Sequence, residues 1–413
     1  MAQPQPNAGP LAGVVVLDMS RVLAGPWATQ VLADLGAEVI KVERPGVGDD
    51  TRQWGPPFTV AASGGRGDAA YFMCANRGKK SVTVDVATPE GAEVVRALAA
   101  KCDVLVENFK VGGLQRYGLD YDSLSKANPR LVYCSITGFG QDGPDAGRPG
   151  YDYMIQAMGG LMSVTGQADG RPGGEPMKAG VAVADLFAGM YASSGILAAL
   201  LHARATGQGQ HLDIALFDVQ AAMLANQAAN WFVSGEVPAR LGNAHPNLAP
   251  YQPFPTLDGS VVIAVGNDSQ FRALCAAVGD ETLAADDRFL TNAERVRHRA
   301  DLTARLAGLT AARTTDAWIA VLETAGVPCG PINTIDRVFA EPQAVARELV
   351  ISQTRDDLTE PVRSVASPIR LSRTPVAYAG PPPSLGADTV QVLRDRLGWS
   401  SAVLTRLRAR GVL

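Results

Sequence analysis

The chain has 413 residues, enough for two or three domains of about 150 residues, each with a real apolar core. Hydrophobic residues make up 46% and charged residues 19%, a balance that excludes disordered, collagenous and coiled-coil classes. Lys and Arg number 37 against 41 Asp and Glu, a net charge of −4, so nucleic acid is not an expected partner: the cationic surplus that neutralises phosphates is missing.

Residues 13–18 (GVVVLD) form a continuous apolar run suited to a strand covered on both faces. Pro26 suits the first turn of a helix reaching about Leu35, where Gly36 stops it. Residues 38–43 and 81–85 are the next strands. Thr88-Pro89-Glu90 then reads as N-cap, first-turn proline and first-turn acid of a helix ending near Lys101. Strands follow at 103–107 and 131–136, with a short helix at 122–126 between them. A Gly- and Pro-rich stretch, 138–180, precedes a long apolar helix from about Asp185 to Arg204, a strand at 211–217 and a helix at 218–233. This alternation predicts an α/β fold with a parallel, Rossmann-like sheet. The Pro- and Asn-rich segment 238–255 marks a boundary. Beyond it, residues 259–265 and helices near 270–278 and 315–325 make a smaller α+β unit, and a Pro-rich stretch at 375–383 leads to a final amphipathic helix pair. The expected organisation is a large domain from 10–235 and 335–413, a linker at 236–251 and a small domain at 252–333.

No uninterrupted apolar run reaches the length of a membrane span, and MAQPQPNAGP at the start lacks the regions of a secretory leader. Cys74, Cys102, Cys134, Cys275 and Cys329 are far apart with no C-x-x-C pair, and the four histidines lack metal-like spacing. The expectations are reduced thiols, a cytoplasmic location, no structural metal and no membrane partner.

Gly138-Phe-Gly140-Gln-Asp-Gly143 matches G-x-G-x-x-G after a strand, but Pro144 and Pro149 follow where a helix has to open on the pyrophosphate. These glycines therefore read as a turn, not a nicotinamide site. Basic residues gather at predicted strand ends: Arg44, Arg52, Arg77, Lys79, Lys80 and Arg116. Open α/β sheets bind ligands outside the carboxyl ends of their strands. That places Arg44 and Arg116 well for a phosphorylated ligand, whereas Arg77-Gly78-Lys79-Lys80 reads first as solvated surface. Asn108-Phe109 offers an amide and an aromatic plane for an adenine, or equally a turn Asn beside a core Phe. Asp185 stands at the mouth of the long apolar helix. Position alone favours a helix-capping aspartate; the functional alternative is a carboxylate nucleophile.

Together these residues resemble a known family. Val16-Leu17-Asp18, Ala24-Gly25-Pro26, the run from Leu32 to Glu43, Gly48-Asp49 and Arg52 are similar to the N-terminal signature of the class III (formyl-CoA/carnitine-type) CoA-transferases. So are Asn76–Ser81, Val106–Phe109, Asn128-Pro129-Arg130, Gly138–Pro144, Asp185 with Gly189, 195–200 and 207–210. The resemblance implies exchange of CoA between an acyl-CoA and a carboxylic acid, with no metal or redox cofactor. It implies an interlocked, ring-like homodimer, and a nucleophile at Asp185 that passes through an aspartyl-acyl anhydride and an aspartyl-CoA thioester. Family CoA contacts fall on Val22, Leu23, Ala24, Arg44, Val84, Ala87, Asn108, Phe109, Lys110, Arg116, Tyr151 and Asp152.

Three departures argue against formyl-CoA and oxalate as the natural pair. Ala87 stands where the formyl-CoA enzymes have lysine, Leu23 where they have glutamine, and Val265–Asp268 where they have a run of glycines. Racemases of 2-methylacyl-CoA carry a histidine at the position of Tyr151, so their second proton carrier is missing here and transfer is preferred to epimerisation. Succinyl-CoA as donor and a succinate-, glutarate- or itaconate-like acceptor are expected. His245, in Arg240-Leu-Gly-Asn-Ala-His245-Pro-Asn247, resembles a motif of the transferase branch. A non-catalytic CoA-binding scaffold is the remaining alternative.

Overall fold

The computed structural model describes residues 9–413, so most of the segment read for a leader lies outside the described residues. The chain divides into two compact units. One comprises residues up to Gly159 with Gly180–Met223 and Val345–Leu413; the other comprises Gly160–Ala179 and Leu224–Ala344.

The first unit is built on six parallel strands: β1 (Val15–Asp18), β2 (Glu38–Glu43), β3 (Lys79–Thr83), β4 (Val104–Glu107), β5 (Val132–Thr137) and β6 (His211–Ala215). Their spatial order is 3-2-1-4-5-6, so the direction of winding reverses between β1 and β4. Side chains alternate across the sheet. Val16, Val39, Val104 and Val106 face one core with α1 (Ala24–Asp34) and the long helix Val183–Thr206. Val15, Leu17, Ile40 and Leu105 face the other, with α2 (Pro89–Ala99) and the C-terminal helices Thr389–Leu397 and Ser401–Ala409. The Thr88 hydroxyl caps α2 by accepting from the Gly91 N–H at 3.0 Å, with Pro89 in its first turn.

The helix α3 (Asp152–Met158) lies inside the stretch read as loop, and α4 is Val183–Thr206. By length and composition α4 is apolar enough to cross a membrane, contrary to the expectation from sequence. Its inner face, however, packs on α1 and the sheet. Gly189 permits this closeness: a Cβ there would stand 2.7 Å from the Ala24 carbonyl oxygen.

The helix predicted at 218–233 is two helices, Leu216–Met223 and Ala225–Ser234, broken where Ala225 takes φ +40°. In the second unit a three-stranded antiparallel sheet, β7 (Tyr251–Pro255), β8 (Ser260–Ala264) and β9 (Cys329–Pro331), packs Phe254, Ile263, Phe271, Phe289 and Trp318 into its own core. Residues 251–255, read as part of a Pro-rich boundary, are thus a strand. It lies at the sheet edge, where Pro253 and Pro255 cost few ladder bonds.

Candidate active site

The carboxyl ends of the central strands open into a crevice where the strand order reverses, the expected ligand seat of an open α/β sheet. Its larger section, a cavity of about 510 Å³, is walled by Val22, Leu23 and Ala24 after β1 and by Asn108, Phe109, Lys110 and Arg116 after β4. Tyr151 and Asp185 complete this wall. A smaller section of about 360 Å³ takes Arg44 after β2, Val84 and Ala87 after β3, and Phe109. Arg21, Val86 and Phe109 line both sections. Eleven predicted contact positions therefore meet Asp185 in one crevice. Asp152 is the exception and lies outside the wall.

Asp185 is not a capping residue. Ala182 occupies the N-cap of α4 and no side chain caps it; Asp185 is the third helical residue. Among the described residues no cation pairs with its half-buried carboxylate. Burial, and then the charge of Asp152, push it up from 3.8 to about 7. Asp152 sits at the start of α3, where Oδ1 accepts from the Ala184 N–H at 2.8 Å and from the Asp185 N–H at 3.4 Å. The Gln156 amide donates to its Oδ2 at 2.6 Å. Asp152 thus holds the first turn of α4 and raises the proton affinity of Asp185. A desolvated carboxylate with no counter-ion in a walled cavity is equipped to attack an acyl carbon.

Tyr71, on the short helix Ala70–Met73, was not legible as a site residue. Burial and then the Asp185 charge push its phenol up to about 12, which keeps it a neutral hydrogen-bond donor within the field of that carboxylate. Glu107, at the end of β4, is pushed to about 7 by burial despite the Ser135 hydroxyl and the Phe109 N–H, which donates to it at 2.7 Å. It fixes the loop that carries Asn108 and Phe109.

The basic residues separate into two groups. Arg52, Arg77 and Lys79 are buried and paired, neither ligand-facing nor solvated. Arg52 holds Glu43 at 2.7 and 2.8 Å and Asp68 at 3.0 Å; Arg77 holds Asp34 at 2.5 and 2.8 Å; Lys79 holds Asp18 at 3.0 Å. Burial lowers Lys79 to about 8. The charges of Lys79 and Lys41 outweigh burial at Asp18 and bring it to about 2. Lys80 pairs with Glu38 at 3.0 Å near the surface. Arg44 and Arg116 are exposed and, among the described residues, form no ion pair. The Asn108 amide, read as suited to an adenine, is instead engaged with the Arg21 backbone at 2.9 and 2.7 Å. Gly140 and Gly143 lie in the left-handed region of a turn, and no nucleotide-binding helix opens there. In the second unit, His245 Nδ1 accepts from the Asn247 N–H at 3.1 Å, and its ring lies 5.1 Å from that of Tyr251.

Known proteins carry the same pattern. A succinate–glutarate CoA-transferase of Agrobacterium fabrum is 52% identical over 386 residues, covering 94% of this chain and 95% of that protein. The human succinyl-CoA:glutarate CoA-transferase is 41% identical over 408 residues, 98% of this chain and 90% of that one. A crystal structure of a CaiB/BaiF family protein from Brucella suis superposes with a TM-score of 0.83 at 50% identity, covering 94% of this chain and all of that one. Residues 11–389 match the family model for CoA-transferase family III, and the chain belongs to that family of CoA-transferring enzymes.

Proposed function

We propose that this enzyme moves CoA from succinyl-CoA to a dicarboxylic acid of the glutarate type, with Asp185 as covalent nucleophile. The carrying observation is the desolvated, cation-free Asp185 carboxylate on the wall of the crevice; the names of the relatives support the substrate pair.

Asp185 attacks the thioester carbonyl, a C–O bond forms, the C–S bond breaks and CoA thiolate leaves an aspartyl-succinyl anhydride. The thiolate then attacks the aspartyl carbonyl, expelling succinate and leaving an aspartyl-CoA thioester. The acceptor carboxylate displaces thiolate once more, and thiolate attack on the acceptor's acyl carbon delivers the new acyl-CoA and frees Asp185. Four acyl transfers close the cycle with no net proton. Arg44, Lys110 and Arg116 suit the CoA phosphates, and Phe109, common to both sections of the crevice, suits its adenine. The Tyr71 hydroxyl suits the distal carboxylate of the acid.

The same reading includes an interlocked homodimer. Phe187, Met190, Tyr191 and Leu201 on α4 are exposed, as are Trp231, Phe232, Val233 and Val237 in the second unit, and a second copy would cover such apolar surface. Five free thiols support a reducing, cytoplasmic setting.

The test is intact-protein mass spectrometry after mixing with succinyl-CoA, with trapping by hydroxylamine or borohydride. An adduct localised to Asp185 and missing from Asp185→Ala is expected; no adduct with any acyl-CoA tried would sink the covalent mechanism.

A further inference from the structure

Directly after β1 the chain turns, and Val22 takes φ +72°. A β-branched residue in the left-handed region is an outlier, because its Cβ crowds the following carbonyl oxygen. Three non-glycine residues among those described have positive φ, and Val22 is the one that lines the cavity with Asp185. Strain of this kind persists only where the surroundings over-determine it.

Here the surroundings are specific. Asn108 holds Arg21, the residue before the strained one, by both of its backbone groups. Oδ1 accepts from the Arg21 N–H at 2.9 Å, and Nδ2 donates to the Arg21 carbonyl at 2.7 Å. From the other side, Asp49 Oδ1 accepts from the Val22 N–H at 3.3 Å. Asp49 is itself fixed by Lys41 Nζ at 2.9 Å and by the Thr51 hydroxyl at 2.8 Å. Asn108 follows β4 and Arg21 follows β1, and these strands are hydrogen-bonded neighbours. The amide therefore stitches two ligand-facing loops together at the point where the strand order reverses. Both of its polar atoms engage the Arg21 backbone, so backbone geometry is a property it controls.

We infer that Asn108 is a positioning residue for acyl-CoA: it holds Arg21 and Val22 in the left-handed turn that sets the cavity wall at Val22, Leu23 and Ala24. This rests on the reading of the crevice as the acyl-CoA site. The clamp is needed because residue 22 has a Cβ. Glycine populates positive φ about as readily as negative, so Gly at position 22 removes most of the need for it.

The experiment compares the full-length wild type, Asn108→Ala, Val22→Gly and the double variant. CoA binding is read by calorimetry, and KM and kcat with succinyl-CoA. In the native background Asn108→Ala is expected to weaken CoA binding and raise KM by roughly tenfold, with kcat within about threefold. In the Val22→Gly background the same change is expected to cost less than about threefold, a coupling that neighbouring residues sharing one strained turn should show. Equal losses in both backgrounds mean that the amide meets the ligand directly and overturn the inference. A wild type that binds no CoA overturns the cavity reading and the inference with it, and that failure is visible before any substitution is made. If Asn108→Ala does not fold, Asn108→Asp serves. It keeps the acceptor for the Arg21 N–H but turns a carboxylate oxygen toward the Arg21 carbonyl, and rescue by Val22→Gly is expected again.

Discussion

Replacing Asp185 by Asn should abolish transfer and at the same time stabilise the protein above neutral pH. A carboxyl raised from 3.8 to about 7 binds its proton more tightly in the native state than in the unfolded chain. Native stability is therefore untouched while both states are protonated, falls as pH rises through 4, and stops falling once the native group ionises near 7. At about 1.36 kcal/mol for each pH unit between the two values, the ionised Asp185 carboxylate costs the fold about 4 kcal/mol at pH 8. Asn keeps the side chain's shape and carries no charge, so it recovers a large part of that cost. Thermal unfolding of both proteins at pH 5 and pH 8 is the assay. The variant should gain several degrees over the wild type at pH 8 and clearly less at pH 5. A gap independent of pH, or a wild type that is the more stable protein at pH 8, would refute the account of Asp185 as a desolvated carboxylate. Such a cost is what a site kept for chemistry is expected to carry.

Three further outcomes follow from the same geometry. Asp152→Asn keeps an oxygen for the Ala184 N–H but removes the like charge; the pH at which Asp185 acylation reaches half its plateau should drop below about 7. Rapid-quench adduct formation from pH 5 to 8 reads this, and an unmoved profile would exclude Asp152 as a source of the raised value. Tyr71→Phe removes a neutral donor whose phenol feels the Asp185 charge, and KM for the dicarboxylic acceptor should rise about tenfold while KM for succinyl-CoA changes little, a difference of about 1.4 kcal/mol; steady-state kinetics against each substrate decides. Lys79→Met strands the buried Asp18 carboxylate and should cost roughly 3–5 kcal/mol in denaturant unfolding. In the wild type the Asp18 contribution, held at about 2 in the fold, should persist above pH 4 and fade toward pH 2.

Most of the parallel sheet was legible because its strands are covered on both faces and so read as unbroken apolar runs: all four residues of β1 and all four of β4 are buried. The second unit was less legible. Its strand Tyr251–Pro255 carries two prolines that only an edge position tolerates, and edge position is a tertiary fact. The break at Ala225 has the same origin, since nothing in an alanine announces a positive φ.

At the site, sequence located the acid and base types but not their partners, and partners decide their roles. Asp18, Asp34, Glu43 and Asp49 cluster with Asp185 in the first unit, yet each of the four is matched to a buried cation: Lys79, Arg77, Arg52 and Lys41. A buried carboxylate so paired is scaffold, because its oxygens are turned to a fixed cation inside the fold and not to a ligand cavity. Asp185 has burial but, among the described residues, no cation, and it faces a cavity instead. The same sorting applied to the bases leaves Arg44 and Arg116 exposed on the crevice while Arg52, Arg77 and Lys79 are consumed inside. One-dimensional spacing cannot make that distinction, since Lys79 and Lys80 are adjacent and alternate strand geometry sends one to a buried aspartate and the other to a surface glutamate. Glu107 is also buried with, among the described residues, no cation and is raised to about 7, but its carboxylate is taken up by the Ser135 hydroxyl and the Phe109 N–H. What sets Asp185 apart is an uncompensated carboxylate on the cavity wall, and that placement is legible only in the fold.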